Sequence, residues 1–223
     1  VHAGKPYTMR QTTQNEVYIA PYDAKNIYMI QYHNSGSQWS PDRHPVISLF
    51  NEYYGGGMNT VVFQELREAR GLAYSAFADY ATPRYKGEPE CAYTYIISQN
   101  DKMMDCIRTF NSILDTIPRS DKALELSKQA LMKRLATQRV TKENVIYTYL
   151  GARDLGLDYD INKTVYEAVP SLTMDDVAKF EQEAMGKKPY SYIILGDEKQ
   201  LDMESLGKIG PIHRLTTEEI FGY

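Results

Sequence analysis

The sequence predicts an α+β domain, and three observations carry that expectation. Two segments rich in β-formers, Ala73–Ala81 and Cys91–Ser98, flank a connection holding Pro83, Gly87 and Pro89, which is the pattern of a long hairpin. Between Met104 and Ala184 apolar residues recur at three- and four-residue intervals, the signature of successive helices. A further apolar strand, Tyr190–Gly196, follows them, so strands and helices share one layered unit. With 223 residues and 43% hydrophobic content the chain can bury a proper core, and no polar linker divides it. Residues 1–223 are therefore read as a single domain.

Each element has its own justification. The first 25 residues are polar apart from a short strand candidate, Val17–Ala20, and Asn26–His33 is a denser run of β-formers. A loop over His33–Ser37 leads to Ser40-Pro41-Asp42, which opens a helix whose Val46, Ile47, Leu49, Phe50 and Tyr53 run into Gly55-Gly56-Gly57. Three glycines let the backbone take positive φ and approach a partner closely. Asn59 is the expected N-cap of the next helix. Val62, Phe63, Leu66 and Ala69 make its buried face, Glu65, Arg67, Glu68 and Arg70 lie off it, and Gly71 occupies the C′ position. The strand after Gly71 alternates, with Tyr74, Ala76, Ala78 and Tyr80 on one face and Ser75, Phe77 and Asp79 on the other. Arg67 and Tyr74 thus fall on either side of one tight turn.

Asn100 or Asp101 is expected to cap a helix carrying Met104, Ile107, Phe110, Leu114 and Ile117, ended by Pro118. Ser120–Arg139 reads as a longer helix with a solvated face. Thr141–Leu155 repeats the apolar pattern through Val145, Tyr149 and Ala152, and Ile161–Val169 adds a short helix. Thr173 with Asp176 resembles a capping box ahead of Val177, Phe180 and Ala184. A short helix near Leu201–Leu206 and a strand or turn near His213–Leu215 complete the order.

Composition excludes several functions. A net charge of −4 with scattered Lys and Arg gives no footprint for nucleic acid. No apolar run approaches the roughly 20 residues of a transmembrane segment, and no signal-peptide pattern opens the chain. The chain begins at Val1 without Met, from which a longer parent or a removed leader is expected. Cys91 and Cys106 lack C-x-x-C spacing and are expected to be buried free thiols. Nineteen tyrosines, several alternating along strands, fit half-buried sheet faces. Zinc hydrolysis needs clustered His and carboxylate ligands with a general base. His2, His33, His44 and His213 form neither H-E-x-x-H nor H-x-x-E-H; after His44, positions 47 and 48 are Ile and Ser. No metal site is expected in this chain. There is no G-x-S-x-G elbow, P-loop or G-x-G-x-x-G after a strand, and the glycine run alone reads equally well as a mobile turn.

Taken together, the glycine run, the helix with Phe63-Gln64-Glu65-Leu66-Arg67-Glu68 and then Gly71-Leu72-Ala73-Tyr74 resemble the C-terminal, non-zinc domain of pitrilysin/insulinase-type zinc peptidases, a group that includes the mitochondrial processing peptidases. More weakly, the Tyr190–Asp197 strand, a Gly-Pro segment and Glu219-Ile220-Phe221 are similar to that domain's ending. The resemblance implies a mostly antiparallel sheet covered by helices. It also implies a division of labour, in which a zinc-bearing partner domain, on the same or another chain, supplies H-x-x-E-H. This half would then hold a peptide or unfolded polypeptide with Arg67 and Tyr74 near Gly55, Gly56 and Gly57, and would carry no cofactor itself. The alternatives are that Arg67 is a surface charge paired with Glu65 or Glu68 and Tyr74 a strand filler, that the chain is a structural scaffold of the same fold, or that it is a stand-alone module binding peptide as an added strand.

Overall fold

The computed structural model describes residues 8–55 and 57–222. Six strands form one sheet: β1 (Glu16–Pro21), β2 (Asn26–His33), β3 (Ala73–Ala81), β4 (Cys91–Gln99), β5 (Ser191–Gly196) and β6 (Ile212–Arg214), in the spatial order β3-β4-β2-β5-β1-β6. The fold class is α+β, as the sequence predicts. Its sheet is mixed: β3–β4, β4–β2 and β2–β5 are antiparallel, whereas β5–β1 and β1–β6 are parallel. The parallel pairs arise because β5 and β6 return to the sheet after helical crossovers rather than through hairpins.

The helices are α1 (His44–Tyr54), α2 (Val61–Phe63, continued by a π-helical turn Gln64–Glu68), α3 (Met103–Asp115), α4 (Asp121–Thr137), α5 (Asn144–Asp154), α6 (Ile161–Ala168), α7 (Met174–Ala184), α8 (Met203–Ile209) and α9 (Thr217–Phe221). None of them is long and apolar enough to cross a membrane. Ser120 caps α4 through its side chain, and the Thr173–Asp176 capping box at α7 forms in both directions. At α2 the cap is Thr60, not Asn59, because the Gly57 carbonyl turns back to accept from both the Thr60 amide and hydroxyl.

One sheet face and the inner sides of the helices make the core. Val17, Ile19, Ile27, Met29, Ile96 and Ile194 point from the strands toward Leu49, Phe50, Ile107, Phe110, Val177 and Leu206, all at most 2% exposed. Burying each such side chain contributes about 1.5–3 kcal/mol against the entropy of ordering it. Phe50 stacks on Tyr54 at 4.9 Å and meets Phe180 edge-on at 5.2 Å, which locks α1 to α7. The Tyr53 hydroxyl donates to the Pro118 carbonyl and accepts from the Ser120 amide, tying α1 to the α3–α4 corner. The opposite sheet face carries Tyr28, Ile30, Phe77, Tyr93, Tyr95 and Ile193, half-buried or exposed, in line with the alternating tyrosines of the sequence. Cys106 is buried, Cys91 is half-buried, and both are free thiols. The apolar pattern of Thr141–Leu155 does form a helix, α5, but no residue of it is buried.

Candidate functional site

The site is built along β3, an edge strand. Its outward backbone groups alternate, and three of them, on two residues, are occupied from within the domain. Ala78 N–H donates to the Gly55 carbonyl at 3.3 Å, while the Asn51 side-chain amide donates to the Tyr80 carbonyl at 3.1 Å and accepts from its N–H at 2.9 Å. By the same alternation the Ala76 N–H and C=O point outward, and no described residue hydrogen-bonds them. Gly55 must be glycine for this contact: a Cβ there would meet the Ala78 carbonyl oxygen at 2.9 Å and collide with the Asn51 carbonyl. At Gly57 a Cβ would touch only Thr60, at 3.6 Å, so the backbone sets no such demand there. Gly56 lies outside the described residues.

Arg67 stands in the π-helical turn. That turn is wide, with Ala69 N–H reaching back five residues to the Gln64 carbonyl, and it closes with Gly71 at φ +59°, Gly71 N–H on the Arg67 carbonyl and Leu72 N–H on the Leu66 carbonyl. The wider turn shifts the register that a continuous α-helix would keep. Val62 and Leu66 are buried as expected, Phe63 is half-buried, and Ala69, assigned to the buried face by periodicity, is exposed. The guanidinium of Arg67 lies over the Phe63 ring, 5.0 Å from its centroid. Glu65 pairs with Arg70 at 3.5 Å, so the surface ion pair open to Arg67 on sequence grounds goes to another residue.

Tyr74 departs from the predicted face. Period two assigns it to the side of Ala76, Ala78 and Tyr80, all of which are buried, yet Tyr74 is 55% exposed. The cause is a β-bulge: Ala73 pairs with Ser98 and Ser75 with Ile97, so Tyr74 is an extra residue and turns out of the core. Its hydroxyl accepts from Gln99 Nε2 at 3.0 Å, which leaves its own O–H free to donate. Gln99 is legible in the hairpin register, one residue beyond the partner of Ala73. Asn51 is not, because a mid-helix Asn gives no sign that its amide completes a sheet edge.

Beside the glycine segment a polar cleft of about 470 Å³ is lined by Ser48, Asn51, Glu52, Thr60, Asp79 and Arg134. Arg134 crosses from α4 to Glu52 on α1 at 2.7 Å. Burial raises the Asp79 carboxyl above its ordinary range, partly offset by a hydrogen bond from Tyr93. Hydroxyls, an amide and both charges can meet a polypeptide's side chains here, but they do not form a metal site. Among the described residues no three His, Cys, Asp or Glu side chains gather to hold a metal ion. His33 Nδ1 is held by the Pro189 carbonyl, His44 by Trp39, and His213 by Glu16 at 3.5 Å.

The structure is thus an α+β domain built on one mixed sheet, with Arg67 and Tyr74 on either side of the Gly71 turn beside an open stretch of β3. The chain belongs to the peptidase M16 inactive domain family, whose model matches residues 2–131, more than half of the sequence. No curated protein sequence matches the chain. Solved structures share its fold. The peptidase M16 inactive domain from Pseudomonas fluorescens superposes with a TM-score of 0.68 at 16% identity, covering 86% of this chain and 46% of that one. A conserved protein from Enterococcus faecalis V583 gives 0.70 at 14%, covering 88% and 45%. A protease from Helicobacter pylori gives 0.64 at 15%, covering 86% and 46%. The chain thus spans under half the length of these solved proteins.

Proposed function

We propose that the chain is the substrate-holding half of a two-half zinc endopeptidase, acting on peptides or unfolded polypeptides while a partner domain with H-x-x-E-H holds the zinc. The observation that carries this reading is the bulge at Tyr74, which gives up core packing to place a phenol with a free O–H at an open sheet edge, one glycine turn from Arg67. A neutral O–H donor suits the oxyanion that develops when water adds to a peptide carbonyl, and Arg67 cannot lose its charge. Arg67 would grip substrate carbonyls, Gly55, Gly56 and Gly57 would lie against the substrate backbone, and the outward groups of Ala76 would add one rung of pairing to it. The zinc of the partner domain would activate the attacking water.

Steady-state kinetics on a quenched-fluorescence peptide, with the zinc-bearing half present, tests this. Tyr74→Phe keeps the ring and removes the donor, so kcat should fall roughly 10²-fold, about 2.7 kcal/mol, with an unchanged melting temperature. Arg67→Ala should also raise KM, because a guanidinium on carbonyl oxygens acts in ground and transition states alike. Wild-type kcat and KM in Tyr74→Phe at unchanged stability would make Tyr74 a strand residue only and end the assignment.

A further inference from the structure

Residues 136–151 are exposed throughout, yet they carry Val140, Val145, Ile146, Tyr147, Tyr149 and Leu150, between 39% and 68% exposed. Along α5 each residue turns about 100°, so Val145 and Tyr149 occupy one side, Ile146 and Leu150 a second and Tyr147 a third. Asn144, Thr148 and Gly151 share the remaining side, so α5 is apolar on three sides and none of its residues is buried, which suits a helix covered in a larger assembly. Even the side toward its own domain is unfilled: Pro83, Val140, Val145, Tyr149, Leu157 and Tyr159 line an open, mainly apolar cleft of about 590 Å³. The helix is fastened at its end, where Lys86 N–H in the β3–β4 connection donates to the Asp154 carbonyl at 2.7 Å. An extended peptide could fill the cleft but would leave Ile146, Tyr147 and Leu150 wet; only a folded partner covers all sides. Each of the solved relatives continues for more than half its length beyond the part that this chain matches.

We propose that α5 is the docking element for the second half-domain, and that the partner's apolar surface fills the cleft and covers Ile146, Tyr147 and Leu150. This rests on the two-half reading above and names the surface by which the halves join. Because Lys86 ties α5 to the connection that leaves β3, a partner seated on α5 is held in fixed relation to the strand that bears Tyr74.

The test mixes residues 1–223 with the H-x-x-E-H-bearing half encoded in the same or an adjacent reading frame, expressed as a separate chain, and follows hydrogen exchange and sedimentation velocity. The amides of α5 should exchange at least tenfold more slowly in the mixture. Ile146→Asp with Leu150→Asp, both at exposed positions, should weaken association at least tenfold while leaving the melting temperature unchanged. Fast exchange of α5 in a formed complex, undiminished association of the double variant, or a homodimer of residues 1–223 that protects α5 would each overturn the proposal, as would the lack of such a half in both frames. Peptide cleavage is scored separately: a complex that protects α5 and cleaves nothing keeps this inference and removes the peptidase reading, and a cleaving complex with α5 exposed does the reverse.

Discussion

Tyr74 owes its position to one extra residue in β3. Without the bulge its ring would enter the core beside Ala76; with it, the side chain trades apolar burial for reach. Glu181 stands at the opposite extreme. It is fully buried in α7, one carboxylate oxygen accepts from Gln182 Nε2 at 3.2 Å, and the other has no hydrogen-bond partner. Burial, reinforced by the charge of Asp115, pushes its carboxyl up to about 7 against an ordinary value of 4.5. The folded state therefore holds a proton that the unfolded chain releases. Stability from this group is present below pH 4.5 and is lost as pH rises toward 7, by up to about 3 kcal/mol. Glu181→Gln should flatten the decline in urea-unfolding free energy between pH 5 and 8; an equally steep decline in the variant would place the effect elsewhere.

Among the elements, β3 combines a closed stretch of edge with an open one. Gly55 and Asn51 close it at Ala78 and Tyr80, and Ala76 is left open where the site lies. Asn51→Ala should cost about 1–3 kcal/mol by stranding the Tyr80 backbone groups, and it should bring concentration-dependent self-association as the exposed edge lengthens. Urea unfolding and light scattering would measure both; an unchanged midpoint would mean that the amide adds nothing to the edge. Much of this was legible in advance. The hairpin pair, the Gly71 turn and the α7 capping box follow from local residue chemistry, and so the placement of Arg67 and Tyr74 across one turn did too. The bulge and the closed stretch of edge depend on longer-range packing, since β3 must meet β4 and the edge must meet α1; the shift of the cap from Asn59 to Thr60 and the π-helical turn are local, closed by the Gly57 and Gln64 carbonyls, and residue preference alone does not show them.

At the scale of the molecule, the sheet unites the two ends of the chain. Glu16 pairs with Ser191 and Val17 with Ile212, and β5 lies between β1 and β2, which are neighbours in sequence but not in space. Local patterning located β1 to β5 and left β6 open as a strand or turn, whereas their order came from the crossovers, and hence the parallel pairs were not foreseen. The arrangement predicts that removing residues 189–223 would leave β1 without a strand on either side. Residues 1–223 should unfold in urea through one cooperative transition by circular dichroism, and the truncated chain should lose signal gradually. A sharp transition in the truncated chain would mean that the N-terminal portion is a folding unit by itself.

The insertion of β5 also orders events during synthesis. As the polypeptide leaves the ribosome, β1 and β2 appear before the rest of this sheet, separated by only Tyr22–Lys25, close enough to zip together as an unintended hairpin. The strand that must sit between them follows only after α7. Their apolar residues therefore wait, unpaired or mispaired, until residues 191–196 have emerged, and any early hairpin has to open again before β5 can enter. A nascent chain of this design depends on holding β1 and β2 apart, or on undoing their pairing cheaply, until five long helices and two more strands have been added.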